Sequence, residues 1–353
     1  MSVCETVETV LGSTLLSEIG ITLTHEHVHL DFNEFYVPPP ANLQSFLDNK
    51  INLKNVGYIK QYPYSNKYNL TFNDADSAQA VIEDVKSFYT FGGRTIVENS
   101  SHGLNRNIPL MVKISEQTGV NILAGTGYYV ASVQNASTLK MTKEEMYNVM
   151  CTELQKGCID YPKIKAGFIG EVGSSWPITD FEKRAICATG EIQEQLRCSV
   201  SFHPGRDKTA PSEIMRLYQE AGGNARRAIM SHVDRTLLDV EAIIEFAEAV
   251  ECYCQFDLFG TECSFYQLNP MIDMPSDAQR MKCIARLKEE KQLHRVLLSH
   301  DIHTKHRLTT FGGHGYSHIM NNVVPVLKSK HFTTEEIELL TVGNPRTWLS
   351  QHL

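Results

Sequence analysis

Histidines and carboxylates recur in this chain where strands would aim them at a common point. His25 and His27 sit one residue apart in the run Leu23-Thr24-His25-Glu26-His27-Val28-His29-Leu30. In a β-strand, side chains at i and i+2 share a face about 6.6 Å apart, so both imidazoles can grip one ion. An imidazole nitrogen binds a divalent metal at about 2.0–2.1 Å, and two ligands on one rigid strand lose little ordering entropy when the ion enters. His-x-His alone describes equally well two histidines satisfied by ordinary hydrogen bonds. Four further runs tip the balance, because Ile169-Gly170-Glu171, Ser201-Phe202-His203, Met230-Ser231-His232 and Ser299-His300-Asp301 each finish on a ligand-type side chain. Four imidazoles and two carboxylates exceed what one tetrahedral ion needs. They suit two divalent ions bridged by a carboxylate and a hydroxide.

Such a site requires a scaffold that brings distant strand ends together. Short apolar or β-branched runs alternate here with longer segments of helical period, the pattern of repeated βα units. The runs are Ile21–His27, Thr95–Glu98, Asn121–Gly127, Ala166–Glu171, Ser199–His203, Ala228–His232, Cys252–Asp257 and Arg295–Asp301. Helices are predicted between them over Asp74–Phe91, Pro109–Thr118, Thr142–Lys156, Thr179–Leu196, Ala210–Ala221, Leu237–Ala249 and Asp277–Glu290, several stopped by glycine. Eight units at a mean spacing of about 39 residues predict a closed (β/α)8 TIM barrel, whose catalytic groups come from strand ends on one face. The widest interval follows the first strand and holds Pro38-Pro39-Pro40 and an Asn/Tyr-rich stretch from Asn49 to Asn73, read as a long loop insertion over the active face. A doubly wound sheet would show a glycine-rich phosphate turn after its first strand, where this chain has His25-Glu26-His27. With no repeat or linker, residues 1–353 read as one domain.

Composition removes other classes. The 353 residues are 42% hydrophobic and 21% charged, near the globular average, and the net charge of −8 offers no footprint for nucleic acid or an anionic membrane. No apolar run approaches the roughly 18 residues needed to span a bilayer. The start, Met1-Ser2-Val3-Cys4-Glu5, lacks the basic and apolar regions of a secretory signal, so a cytoplasmic location is expected. Nine cysteines, with no Cys-x-x-Cys pair, are expected to be free thiols.

Around the ligand set, Arg206, Arg235 and His314 lie beyond strand ends or in the last long loop, where a cation or donor can pair with a sulfonate or carboxylate. Solvated salt bridges would explain the arginines equally well. Tyr128 follows the third strand and is a candidate pocket wall. His29 continues the His25–His27 face but points beyond the ligands.

Thr24-His25-Glu26-His27, Gly170-Glu171-Val172-Gly173, His203-Pro204-Gly205-Arg206, Ser231-His232-Val233-Asp234-Arg235 and His300-Asp301-Ile302-His303 resemble, in order and spacing, the metal motifs of the phosphotriesterase group within the amidohydrolase superfamily. Phe256–Glu262, Ile272–Pro275 and Gly312–His318 resemble the phosphotriesterase-related branch of that group, so the resemblance spans nearly the whole chain. It implies a hydrolase with two divalent ions, zinc first with manganese or cobalt as alternatives. His25, His27 and Asp301 would hold the more buried ion, and His203 and His232 the more exposed one. Glu171 would bridge them where many relatives use a carbamylated lysine. Two cations sharing a water lower its pKa, and Asp301 would take the nucleophile's proton and pass it to the leaving nitrogen. The resemblance further implies a small anionic substrate, N-acetyltaurine or a related N-acyl amino acid. A lactonase, a phosphotriesterase and a metal-binding scaffold without turnover stay as alternatives, and homodimerisation is left open.

Overall fold

The computed structural model describes residues 5–263 and 266–350. Its centre is the eight-membered parallel array that the strand spacing predicts: β1 (Ile21–Glu26), β2 (Gly93–Glu98), β3 (Asn121–Thr126), β4 (Phe168–Gly173), β5 (Val200–His203), β6 (Ala228–Met230), β7 (Tyr253–Phe256) and β8 (Val296–Leu298). Each strand pairs with its sequence neighbour in the ladder β8-β7-β6-β5-β4-β3-β2-β1. The seam between β8 and β1 is joined beyond the ends of the ladder. His25 N donates to Ser299 Oγ at 3.0 Å, and Asp301 N donates to the His25 carbonyl at 3.1 Å. Glu26 braces the same seam by accepting from the backbone N–H of His300 at 2.8 Å and of Ile302 at 3.0 Å. Eight strands closed in this way, wrapped by helices, form a (β/α)8 barrel.

The barrel interior is divided by chemistry. Its lower half is an apolar plug in which Val97, Leu123, Phe168, Ile229, Tyr253 and Leu297 meet Trp348 from the C-terminal helix and Val7 from the N-terminal hairpin. Its upper half is polar and buried: Thr24 Oγ1 donates to Gln255 Oε1 at 2.7 Å, and Ser201 and Ser231 hydroxyls lie 3.2 Å apart. Polar groups at this depth are tolerated because they satisfy one another. The ligand-type side chains therefore rest on a hydrogen-bonded layer above a packed floor. Close strand approach near Glu171 depends on glycine, since a Cβ at Gly125 would come within 2.0 Å of the Gly170 carbonyl.

Among the described residues, seven helices of eleven or more residues pack outside the strands: α1 (Ala75–Thr90), α2 (Ile108–Thr118), α3 (Lys143–Gln155), α4 (Asp180–Leu196), α5 (Ala210–Glu220), α6 (Val240–Val250) and α7 (Asp277–Glu289). Their boundaries follow local chemistry. Asp74 with Ser77, Thr142 with Glu145, Thr179 with Glu182 and Ser276 with Gln279 form capping boxes that satisfy the first free N–H groups. The interval after β1 is more ordered than an extended loop. Leu30–Asp31 pairs antiparallel with Thr71–Phe72, and short helices occupy Gln44–Leu47, Val56–Gln61 and Lys67–Leu70. Cys151, Cys158, Cys187, Cys198, Cys252, Cys254, Cys263 and Cys283 are free thiols as expected, whereas Cys4 lies outside the described residues. Among the described residues, no helix is long and apolar enough to cross a membrane.

Candidate metal centre

Strand ends bring all six ligand-type side chains into one cluster. Glu171, in the C-terminal half of β4, is its middle. Glu171 Oε2 lies 2.6 Å from His203 Nδ1, 3.3 Å from His232 Nε2 and 3.6 Å from His25 Nε2, while Oε1 lies 3.8 Å from His27 Nε2. Asp301 Oδ1 lies 3.2 Å from His27 Nε2 and 3.8 Å from His25 Nε2. Two triads share the glutamate, His25–His27–Glu171 and Glu171–His203–His232, each with ligand atoms within 4.8 Å of one another. His232 and Asp301 reach the cluster in left-handed backbone conformations, φ +55° and +52°. Non-glycine residues hold such angles at a cost of about 1–3 kcal/mol each, supplied here by the fold around them.

Three imidazoles are aimed by what holds their other nitrogen. His232 Nδ1 lies 2.7 Å from Asp257 Oδ1, His25 Nδ1 3.1 Å from Ser231 Oγ, and His27 Nδ1 3.0 Å from Ser100 Oγ, which in turn donates to Glu98. With Nδ1–H donating outward, each Nε2 lone pair faces the centre. Asp257 also takes the backbone N–H of His232 at 3.1 Å and Gln255 Nε2 at 2.9 Å, and lies 3.4 Å from His25 Nδ1. It was not among the sequence candidates, although it ends the seventh predicted strand as the others end theirs.

Burial sets the protonation states. It pushes His25 down to about 3 and holds His203 and His232 well below the ordinary histidine range, leaving neutral imidazoles with free lone pairs. Burial, then the charges of Asp301 and Asp257, pushes Glu171 well above the usual carboxylate range. Asp301 is held well below that range despite its burial, through His303 and His27. Burial lowers His303 to about 4, so its neutral ring donates through Nδ1 to the Asp301 carbonyl at 2.8 Å.

The donor set fits divalent cations. His25 Nε2 is buried without any hydrogen-bond partner, and the carboxylates of Glu171, Asp257 and Asp301 stand within 4 Å of its neutral ring. Two ligands about 2.1 Å from one ion stand at most about 4.2 Å apart, compatible with the separations of 2.6–3.8 Å across Glu171.

A cavity of about 30 Å³ reaches the cluster, lined by His27, Glu171, His203, His232 and Asp301 together with Arg206 and Arg235. Arg206 donates from Nε to Tyr266 at 2.6 Å, and Arg235 Nη2 lies 3.3 Å from His203 Nε2. The other two substrate-contact expectations need correction. Tyr128 stacks on His102, with its hydroxyl 3.7 Å from Met141 Sδ, and faces a different depression; its neighbour Tyr129 lines the cavity instead. His314 packs near His300 and His318 in the wall of an adjoining chamber. Tyr64, His303 and Arg307 line the cavity and were not foreseen.

A model of the phosphotriesterase family matches residues 5–349. The chain is 54% identical over 337 residues to the phosphotriesterase-related protein of Aedes aegypti, covering 94% of each. Identity to the phosphotriesterase-related protein of Drosophila persimilis is 52% over 345 residues, covering 98% of each. The crystal structure of a resiniferatoxin-binding protein from Rhodobacter sphaeroides superposes with a TM-score of 0.92 at 28% identity, over 98% of this chain and 95% of that one. With the family match running through every strand whose end supplies the cluster, the chain belongs to the phosphotriesterase family.

Proposed function

We propose that this chain is a metal-dependent amidohydrolase that removes an acyl group from a small amine bearing an anionic group, N-acetyltaurine and related N-acyl amino acids being the substrate class. The observation that carries this reading is the charge of the cavity wall. Arg206, Arg235 and Arg307 line it, while Glu171 and Asp301 are the sole carboxylates among its described lining residues. Guanidinium groups bind carboxylates and sulfonates with charge-assisted hydrogen bonds. A lactone or a phosphotriester is neutral and gives three arginines nothing to neutralise.

His25, His27 and Asp301 are proposed to hold one divalent ion and His203 and His232 a second, with Glu171 shared. Bound cations, zinc first with manganese or cobalt as alternatives, supply Lewis acidity that acidifies water and polarises a carbonyl. The protein's own groups do the rest. Asp301 accepts the proton of the attacking water at its carboxylate and delivers it to the amide nitrogen, without which an amine leaves poorly. His303 Nδ1, 3.1 Å from Asp301 Oδ1, favours the ionised form of that carboxylate before the reaction. Tyr64 and Tyr129, both buried, narrow the cavity and restrict bulk water.

Metal-loaded protein assayed in parallel on N-acetyltaurine, an acyl-homoserine lactone and an aryl phosphotriester tests the reading. Turnover of the amide, abolished in Asp301→Asn, is expected. Turnover of only the lactone or the triester would defeat it, and metal uptake without turnover of any of the three would favour a scaffold.

A further inference from the structure

The reaction cavity does not end at the cluster. A second chamber of about 430 Å³ adjoins it, and Pro63, Thr261, Cys263 and Arg307 line both. An acyl group at the cluster therefore leaves the rest of the molecule to extend across this shared wall.

Two polar side chains in that wall are almost wholly buried, and each has a polar atom without a partner. Thr261 is 8% exposed and its Oγ1 makes no hydrogen bond. Arg307 is 3% exposed and its Nε makes none. Its Nη1 is committed to the carbonyls of Asp301 and His300. Nε and Nη2 form the opposite edge of the guanidinium, the edge that receives two oxygens of one anion side-on. A buried donor left empty carries a desolvation cost that a matching ligand removes.

Resting on the amidohydrolase reading, we infer that Arg307 and Thr261 form an anion subsite between the two cavities, taking the carboxylate or sulfonate of the leaving amine. The link from Arg307 Nη1 to the Asp301 carbonyl fixes this fork relative to the reacting end. Substrates whose anion stands a few atoms from the scissile nitrogen span the distance, and substituents beyond the anion enter the second chamber.

The test is calorimetric titration of metal-loaded protein with ethanesulfonate and its neutral analogue ethyl methyl sulfone. Wild type is expected to prefer the sulfonate. Arg307→Lys, which keeps the charge and loses the fork, should weaken sulfonate binding about 10- to 100-fold. Thr261→Val, which deletes a hydroxyl with no internal partner, should weaken it about threefold to tenfold without lowering Tm. Equal weakening of both probes in Arg307→Lys, or unchanged sulfonate binding in both variants, would overturn the subsite. The two readings fail separately. Selective sulfonate binding without amide hydrolysis keeps the subsite and removes the amidase, whereas amide hydrolysis without sulfonate preference keeps the amidase and removes the subsite.

Discussion

Asp257→Asn isolates what aims the metal ligands from the ligands themselves. The Asp257 carboxylate lies 2.7 Å from His232 Nδ1 and 3.4 Å from His25 Nδ1, so it serves one histidine of each proposed ion pair of ligands. Asparagine keeps the volume and one acceptor oxygen but removes the negative charge that makes these imidazoles more basic. It also replaces an acceptor beside Gln255 Nε2, 2.9 Å away, with a group able to present a competing donor. Loss of such a partner typically costs 10–100-fold in metal affinity, about 1.4–2.7 kcal/mol. Two histidines share this carboxylate, which argues for the upper part of that range. Ser100→Ala supplies the comparison: Ser100 props only His27, at 3.0 Å and through a neutral hydroxyl, so about tenfold or less is expected. Competition against a chromogenic zinc chelator near neutral pH gives both dissociation constants. Wild-type affinity in Asp257→Asn, or a larger loss in Ser100→Ala than in Asp257→Asn, would refute the argument.

On the proposed two-ion reading, Glu171→Gln should lower bound metal from two ions per chain toward one, read by elemental analysis, because both triads share that carboxylate; added bicarbonate should leave wild-type activity unchanged, since the proposed bridge is a native side chain. Glu153 lies buried in a network with Arg106 and His102. Burial alone would raise its pKa, but the His102 hydrogen bond and Arg106 hold it well below the usual range. A folded-state pKa depressed in this way contributes stability above the unfolded value of about 4.3 and loses it as pH falls. Glu153→Gln should therefore destabilise by about 3 kcal/mol at neutral pH, and thermal melts should show its gap to wild type narrowing below about pH 5; a gap constant with pH would contradict the network. Trp348→Ala removes the buried plug that meets Phe168 edge-on at 5.9 Å and should cost about 3–5 kcal/mol by urea unfolding, with metal stoichiometry of the folded protein unaltered.

Ligands and wall residues differ in how far a sequence discloses them. A strand fixes the direction of its last side chains, and a barrel makes those directions converge, so His25, His27, Glu171, His203, His232 and Asp301 could be chosen from run ends alone. Asp257 satisfied the same rule, ending the seventh run, and needed only a reason to look for what aims an imidazole. Beyond strand ends the alternation stops carrying information. The chain turns at Gly127 with φ +136°, and Tyr129 rather than Tyr128 enters the cavity. Around His314, Gly312 at φ +84° and Gly315 at φ +66° turn the loop so that the ring faces the second chamber. Arg307 rides on a single 3-10 turn, Lys305–Arg307, too short to leave any periodic trace. The same brevity hid the four- to six-residue helices after β1, from which Tyr64 reaches the cavity between two of them. Chemistry common to a barrel family is thus written at strand ends where geometry is inherited from the sheet. Substrate choice is written in loops, and it is there that substitutions at Arg307 and Thr261 should change which molecules are accepted while leaving the metal ligands in place.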